Sequence, residues 1–251
     1  MTVLSVNLNK VALLRNSREG QRPSVIEFAR LAIAAGAGGI TVHPRPDQRH
    51  VRASDVPALA TMLKTEYPHI EFNIEGNPVA DANAGGYPGF IPLIKAVGPA
   101  QATLVPDSDD QLTSDHGWDL SVAQPQLRAH IEACQQAGAR VSLFMDPVVE
   151  HMAIAADYGA DRVEFYTGPY AAAYGRAEQH EVLTRFTEAS VVAADCGLGL
   201  NAGHDLNLHN LATFKTAMHE LLEVSIGHAF TVDAIELGLD AAINACLACL
   251  R

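Results

Sequence analysis

The feature that most limits what this chain can become is an alternation: short β-rich runs separated by longer amphipathic ones, repeated eight times. The β-rich runs are Leu4 to Leu8, Gly39 to His43, Glu71 to Glu75, Ala102 to Val105, Arg140 to Met145, Arg162 to Tyr166, Gly199 to Asn201 and Glu223 to Gly227. Between and after them lie segments with apolar residues at helical spacing. Examples are SVIEFARLAIAAG, DVPALATMLKTEY, QPQLRAHIEACQQAG, VEHMAIAADYG, EVLTRFTEASVVAADCG and, as a last helix, VDAIELGLDAAINACLACL. Several close with Gly, as helix C-termini do. Strand–helix alternation predicts parallel βα units, and eight of them predict an α/β fold, a (β/α)8 TIM barrel with a few extra short helices. The 251 residues fit one such barrel, so residues 1–251 are expected to form a single domain without linkers. An open doubly wound sheet would need a glycine-rich turn after its first strand, and Asn7-Leu8-Asn9-Lys10 is not one. The stretch TGPYAAAYGRAEQ at 167–179 is longer than an ordinary strand–helix loop and is expected to be a lid or an extra helix.

Composition enters as a filter on function. Hydrophobic residues at 48% and charged residues at 18% are enough to build a large core. A net charge of −12 disfavours nonspecific attraction to nucleic acid or anionic lipid, so an anionic ligand would need locally clustered arginines. No stretch approaches the roughly 20 apolar residues of a membrane span, and MTVLSVNLNK carries no basic leader followed by an apolar core. The expectation is a cytoplasmic protein with no nucleic-acid or membrane partner. Of the four cysteines, only Cys246 and Cys249 are closely spaced, and they read as small apolar residues one turn apart in the last helix; neither disulfide nor zinc is assigned.

In a barrel the C-terminal strand ends converge on one mouth, so polar residues distant in sequence meet there. The first strand ends in Asn7 and Asn9, the second in His43, Arg45 and His50, and the third in Glu75 and Asn77. The fourth ends at Asp107 and leads to Thr113, the fifth at Asp146, the sixth presents Glu164 and Thr167, the seventh Asn201 and His204, and the eighth His228. Every strand is thus expected to deliver a polar group to the same end. NIEG and VEFYTG each place a carboxylate, Glu75 and Glu164, in an otherwise β-rich apolar run, where burial raises its pKa toward the range that proton transfer near neutrality requires. The turns NAGH at 201–204 and IGHA at 226–229 follow the seventh and eighth strands, the usual phosphate grip of this fold. Arg18, Arg45 and Arg49 are candidates for holding a second anion. The remaining histidines are read as structural, and Trp118 as a packing residue of its loop.

These residues carry a family resemblance that runs nearly end to end. VNLNKVALLRNSR at 6–18, GITVHPRPDQRH at 39–50, NIEG at 73–76, TLVPD with LTSDHGWD, VSLFMD at 141–146, VEFYTGPYA at 163–171, LNAGHDLNLHN at 200–210 and SIGHAF at 225–230 resemble the pyridoxine 5′-phosphate synthases of vitamin B6 biosynthesis. The resemblance implies an enzyme that condenses 3-amino-2-oxopropyl phosphate with 1-deoxy-D-xylulose 5-phosphate, releasing pyridoxine 5′-phosphate, phosphate and water. It implies proton acceptors at His43 and Glu75, a proton donor at His204 and a further carboxylate at Glu164. It further implies an aminoketone phosphate site at Asn7, Arg18, the backbone of Asp205, Gly227 and His228, and a deoxyxylulose phosphate site at Asn9, Arg45, His50 and Thr113. Lys10 falls in the same motif. No cofactor or metal is called for, because the substrate supplies its own nitrogen nucleophile; the family also resembles an octamer of barrels. Two positions depart from the family: many members read Asn-Ile-Asp-His where this chain has Asn7-Leu8-Asn9-Lys10, and Asp205 stands where glycine commonly follows the histidine.

Two other readings remain open on the residues alone. His43, His50, His204, His228, Glu75 and Glu164 could instead serve a metal-dependent phosphosugar lyase or epimerase, although the neighbouring arginines suit anions better. A non-catalytic phosphosugar-binding barrel is the third, disfavoured by His43, Glu75 and His204 together. A Schiff-base aldolase would need a strand-end lysine, and Lys10 alone lies near one.

Overall fold

The structure is a computed structural model of the chain, and it describes residues 1–108 and 111–251. From the N-terminus, β1 (Val3–Asn7) leads directly into α1 (Asn9–Asn16), followed by α2 (Val25–Ala34), β2 (Gly39–Val42), α3 (Asp55–Glu66) and β3 (Glu71–Gly76). A hairpin of β4 (Asp81–Ala82) and β5 (Pro88–Gly89) precedes α4 (Phe90–Val97), β6 (Gln101–Leu104), α5 (Leu127–Gln136), β7 (Arg140–Met145) and α6 (Val149–Tyr158). The remainder runs β8 (Arg162–Phe165), α7 (Gly168–Ala173), α8 (Gln179–Asp195), β9 (Gly199–Ala202), α9 (Leu211–Ala217), β10 (Leu221–Ile226), α10 (His228–Leu237) and α11 (Leu239–Cys249). Eight strands close in the order β1-β10-β9-β8-β7-β6-β3-β2, with every neighbouring pair parallel. This is the expected (β/α)8 barrel, and all eight β-rich runs fall on its strands to within two residues at either end.

Each strand alternates because its two faces meet different surroundings. Leu4 and Val6, Ile40 and Val42, Phe72 and Ile74, Val141 and Leu143, and Val224 and Ile226 point outward and are buried under the helices. The intervening positions point into the barrel, where the usual filling is bulky and branched. Here they are polar: Ser5, Thr41, Asn73, Thr103, Ser142, Gln101, Asn201 and Glu223 are all buried. Most of them bond one another, as buried polar groups must, while Ser142 Oγ has no hydrogen-bond partner among the described residues. Ser5 and Thr41 share a 2.7 Å hydroxyl pair, Asn73 donates to Thr41, and Thr103 donates to Asn73 at 3.1 Å.

Two boundaries differ from those expected. The stretch read as one last helix is two, α10 and α11, broken at Gly238, whose φ of +85° is open to glycine and costly for other residues. Asn9 and Lys10 do not prolong the first strand but open α1, because Leu8 turns the chain at the barrel rim. The long loop at 167–179 holds an extra helix, α7, whose Tyr170 is buried against Phe186 and Phe214. The hairpin was not anticipated: its turn is held by Asn83, whose Oδ1 accepts from the backbone of Gly85 and Tyr87. Cys246 and Cys249 lie in α11, and Trp118 packs against the core while its indole donates to the Leu104 carbonyl at 2.9 Å.

Candidate active site

A cavity of about 410 Å³ opens at the C-terminal ends of the strands. It is lined from β1 and the start of α1 by Asn7, Asn9 and Lys10, and from beyond β2 by His43, Arg45, Arg49 and His50. Glu75 on β3, Thr113 and Ser114 after β6, Glu164 on β8, His204 and Asp205 after β9, and Ser225, Gly227 and His228 complete it. Residues separated by more than two hundred positions in the chain therefore share one chamber, as the strand-end reading predicts.

The floor is made of buried, sparsely solvated acid–base groups. Glu75 accepts from Asn7 Nδ2 at 3.3 Å and from Ser225 Oγ at 3.4 Å; burial first, then the charges of Glu223 and Asp107, push its pKa up to about 8. Glu164 accepts a long bond from Thr103, and burial together with Glu75 and Glu223 raises it well above the usual carboxylate range. His43 lies between two carboxyl groups, Nδ1 4.0 Å from Glu75 and Nε2 4.0 Å from Asp107, and its backbone N–H donates to Asn9 Oδ1 at 2.9 Å. Burial, reinforced by Arg45 and His50, holds its pKa well below 6.5, so the ring is neutral at pH 7 and free to accept a proton.

The walls carry His50, two arginines and the start of a helix. His50 accepts from the Val51 backbone N–H at Nδ1, which leaves Nε2 as the protonated nitrogen; burial and then Arg45 drive its pKa to about 3. Arg45 pairs with the buried carboxylate of Asp107, and both Arg45 and Arg49 donate to the Gln111 carbonyl, fastening the loop that bears Thr113. From that loop Thr113 Oγ1 reaches His204 Nε2 at 3.0 Å across the mouth. Opposite, α10 begins at Gly227 and His228, so its N-terminal dipole lies at the cavity rim. Gly203 is required by close approach: a Cβ there would sit 1.9 Å from the Ser225 carbonyl oxygen, so no larger residue lets the β9 loop pass β10 this tightly.

Of the residues singled out in the sequence, His43, Glu75, Glu164, His204, Asn7, Asn9, Lys10, Arg45, His50, Thr113, Asp205, Gly227 and His228 are brought together. Arg18 is not. It is exposed beyond the end of α1, about 12 Å of helix from the strand end, and does not line the cavity of its own chain. Asn201 also departs from the strand-end reading: it points into the barrel below the cavity, bonded to Gln101 and Arg162. Thr167 is structural, donating to the Gly203 carbonyl at 3.1 Å. Asp205 does more than offer its backbone: its carboxylate meets His204 Nδ1 at 2.9 Å, and that bond holds its pKa below the usual value. Ser225 and Phe144 were missed, although the period of two makes Ser225 inward-facing once Gly227 is placed at the strand end. Among the described residues no group of three or more His, Cys, Asp or Glu side chains is arranged to hold a metal ion, and no helix is long and apolar enough to cross a membrane.

Known proteins resemble this chain along nearly its whole length. A pyridoxine 5′-phosphate synthase of Xanthomonas campestris pv. campestris (strain B100) is 54% identical over 247 residues, covering 98% of this chain and 95% of its own. That of Albidiferax ferrireducens is 51% identical over 252 residues, covering 99% and 97%. Solved structures match more distantly and report on fold alone. A variant tryptophan synthase alpha-subunit from Pyrococcus furiosus superposes with a TM-score of 0.63 at 13% identity, covering 98% of this chain and 97% of that one. Phosphoribosyl anthranilate isomerase from Thermus thermophilus gives 0.56 at 14% identity, covering 99% and 98%. The family description "Pyridoxal phosphate biosynthesis protein PdxJ" matches residues 4–251, and the chain belongs to that family.

Proposed function

We propose that this chain is a pyridoxine 5′-phosphate synthase, condensing 3-amino-2-oxopropyl phosphate with 1-deoxy-D-xylulose 5-phosphate and closing the pyridine ring with loss of water and phosphate. The observation that carries the reading is the meeting of His43, Glu75 and His204 in one cavity with Arg45, His50 and the N-terminus of α10. Imine formation, dehydration, loss of phosphate and ring closure are successive proton transfers, each needing a positioned acid or base. Neutral His43 and the Glu75 carboxylate accept protons, His204 returns them to leaving oxygen, and Glu164 stabilises charge that develops at the cavity floor. Arg45, His50, Asn9 and Thr113 hold the deoxyxylulose phosphate; Asn7, Gly227, His228 and the Asp205 backbone hold the aminoketone phosphate. Lys10, at the first turn of α1, adds a cation between the two.

In this reading residues 1–251 work as one barrel domain, in a cytoplasmic homo-octamer. Light scattering on the purified protein tests the assembly. The activity is tested by supplying both substrates and following the ultraviolet absorption of pyridoxine 5′-phosphate. Product is expected with the unaltered chain, and Glu75→Gln is expected to lower kcat by about 10²- to 10⁴-fold, the usual share of a positioned acid–base group, without loss of folded structure. Binding of both substrates with no product would refute the assignment.

A further inference from the structure

We infer that Asp107 is a positioning residue of this reaction: it fixes the His43 ring with its proton on Nε2, so that Nδ1 is presented unprotonated toward Glu75. The inference rests on the proposed function above and deepens it at one residue.

Asp107 follows β6 at the mouth but stands behind the cavity wall, only 3% exposed. Its Oδ2 accepts from Arg45 and from Ser114 Oγ at 2.8 Å, and its backbone carbonyl accepts from Asn77 Nδ2 at 2.7 Å. That carboxylate cannot swing freely. The same Oδ2 lies 4.0 Å from His43 Nε2, while Oδ1 is buried without a hydrogen-bond partner. On the far side of the ring, Nδ1 is 4.0 Å from Glu75 Oε2. The imidazole thus has a carboxyl group 4.0 Å from each of its nitrogens, one anchored by an arginine and one at the cavity floor.

The consequence is chemical. A neutral imidazole carries one proton, and an anionic oxygen facing Nε2 favours the tautomer with that proton on Nε2. When His43 takes a proton at Nδ1, from substrate or from the Glu75 carboxyl, the ring becomes an imidazolium with N–H on both nitrogens. Asp107, held by Arg45 and Ser114, faces that positive charge; return of the Nδ1 proton restores the starting state. Burial and Arg45 both oppose a charged ring here, so the imidazolium needs a counter-charge, and Asp107 is placed to provide it. The 4.0 Å separations close to hydrogen-bond length with about 1 Å of ring movement toward either side. A carboxylate that served only to neutralise Arg45 would impose no tautomer on His43, and that difference is measurable.

Neutron diffraction from deuterium-exchanged crystals of the full chain reads which nitrogen of His43 bears deuterium. Nε2 is expected in the unaltered protein, and deuterium on Nδ1 alone overturns the inference. Asp107→Asn is expected to shift or mix the tautomer and to lower kcat by about 30-fold or more, as orienting carboxylates of histidine bases do. In that variant KM for the aminoketone phosphate should change less than about threefold. An Asp107→Asn protein that keeps Nε2 deuterated and kcat within about threefold of the original likewise overturns it. Should that variant not fold, Ser114→Ala, which releases one of the bonds aiming Oδ2, is expected to lower kcat by about 3- to 10-fold, and an unchanged kcat counts against the inference. The tautomer is read without substrate, so failure of the unaltered chain to make product would refute the proposed function and leave this measurement separately interpretable.

Discussion

Two layers of the barrel bury carboxylates to a similar degree and use them differently. In the lower layer, near the strand starts, Glu223 meets Arg162 at 3.5 Å and also accepts from Gln101 and Asn201, while Arg140 joins Gln101 to Glu71. In the upper layer Glu75 and Glu164 accept from hydroxyl and amide donors, and among the described residues neither forms an ion pair with an arginine or lysine. Burial raises the pKa in both layers; Arg162 and then Arg140 pull against it at Glu223, which rises only to about 7, whereas Glu75 reaches about 8. The same side-chain type is thus cross-braced by guanidinium groups in one layer and left without a bonded arginine in the other, where the proposed reaction uses it to carry protons. The comparison teaches that function here is marked less by burial than by the omission of a counter-charge that the next layer down supplies.

The comparison breaks most visibly if the lower layer is deprived of its cation. Arg162→Met is expected to destabilise the fold by about 3 kcal/mol, because it strands a buried carboxylate. The loss should be larger at pH 9, where Glu223 would have to remain ionised, than at pH 6, where it takes up a proton and becomes neutral. Urea unfolding at the two values checks this; equal losses would mean that Glu223 does not depend on Arg162. In the folded fraction kcat is expected to change less than Glu75→Gln changes it.

A smaller effect tests the upper layer at its rim. Asp205→Asn converts the charge-assisted bond on His204 Nδ1 into a neutral one, and steady-state kinetics should give kcat lower by roughly tenfold. Because the Asp205 side chain is 42% exposed, water moderates the change. An unaltered kcat would assign Asp205 to the surface and leave His204 oriented by Thr113.

The smallest effect sharpens the contrast through pH. Glu75 has a folded pKa of about 8 against an ordinary 4.5, so the folded state retains a proton that the unfolded chain has released. Its contribution is fully present below about pH 4.5 and is lost as pH rises through 8. Replacing it by glutamine removes this dependence, and the fall in stability between pH 5 and pH 8 should shrink by about 1 kcal/mol or more in Glu75→Gln. The same titration makes kcat/KM of the unaltered chain rise toward pH 8 as the base form of Glu75 is populated.

Much of this was legible before any coordinates. The alternation of β-rich and amphipathic runs marked the eight strands, and the rule that a parallel barrel gathers its C-terminal strand ends picked out His43, Glu75, Glu164, His204 and His228. The limit of a linear reading shows at Arg18, which the resemblance supplied and which α1 carries away from the mouth of its own chain. Asn201 shows it again: one position along a strand separates the reacting chamber from the brace below it. Asp205 was expected to contribute its backbone alone, and its carboxylate lies on His204 Nδ1.

By itself the sequence determined which surfaces must be buried and which strand ends must converge, since hydrophobic periodicity and parallel strand–helix order are local properties of the chain. Only the tertiary structure decided which buried carboxylates have an arginine beside them, because that depends on strand register and closure across residues as distant as Glu75 and Ser225. Coulomb and desolvation energies follow distance and burial in space, and a linear sequence contains neither.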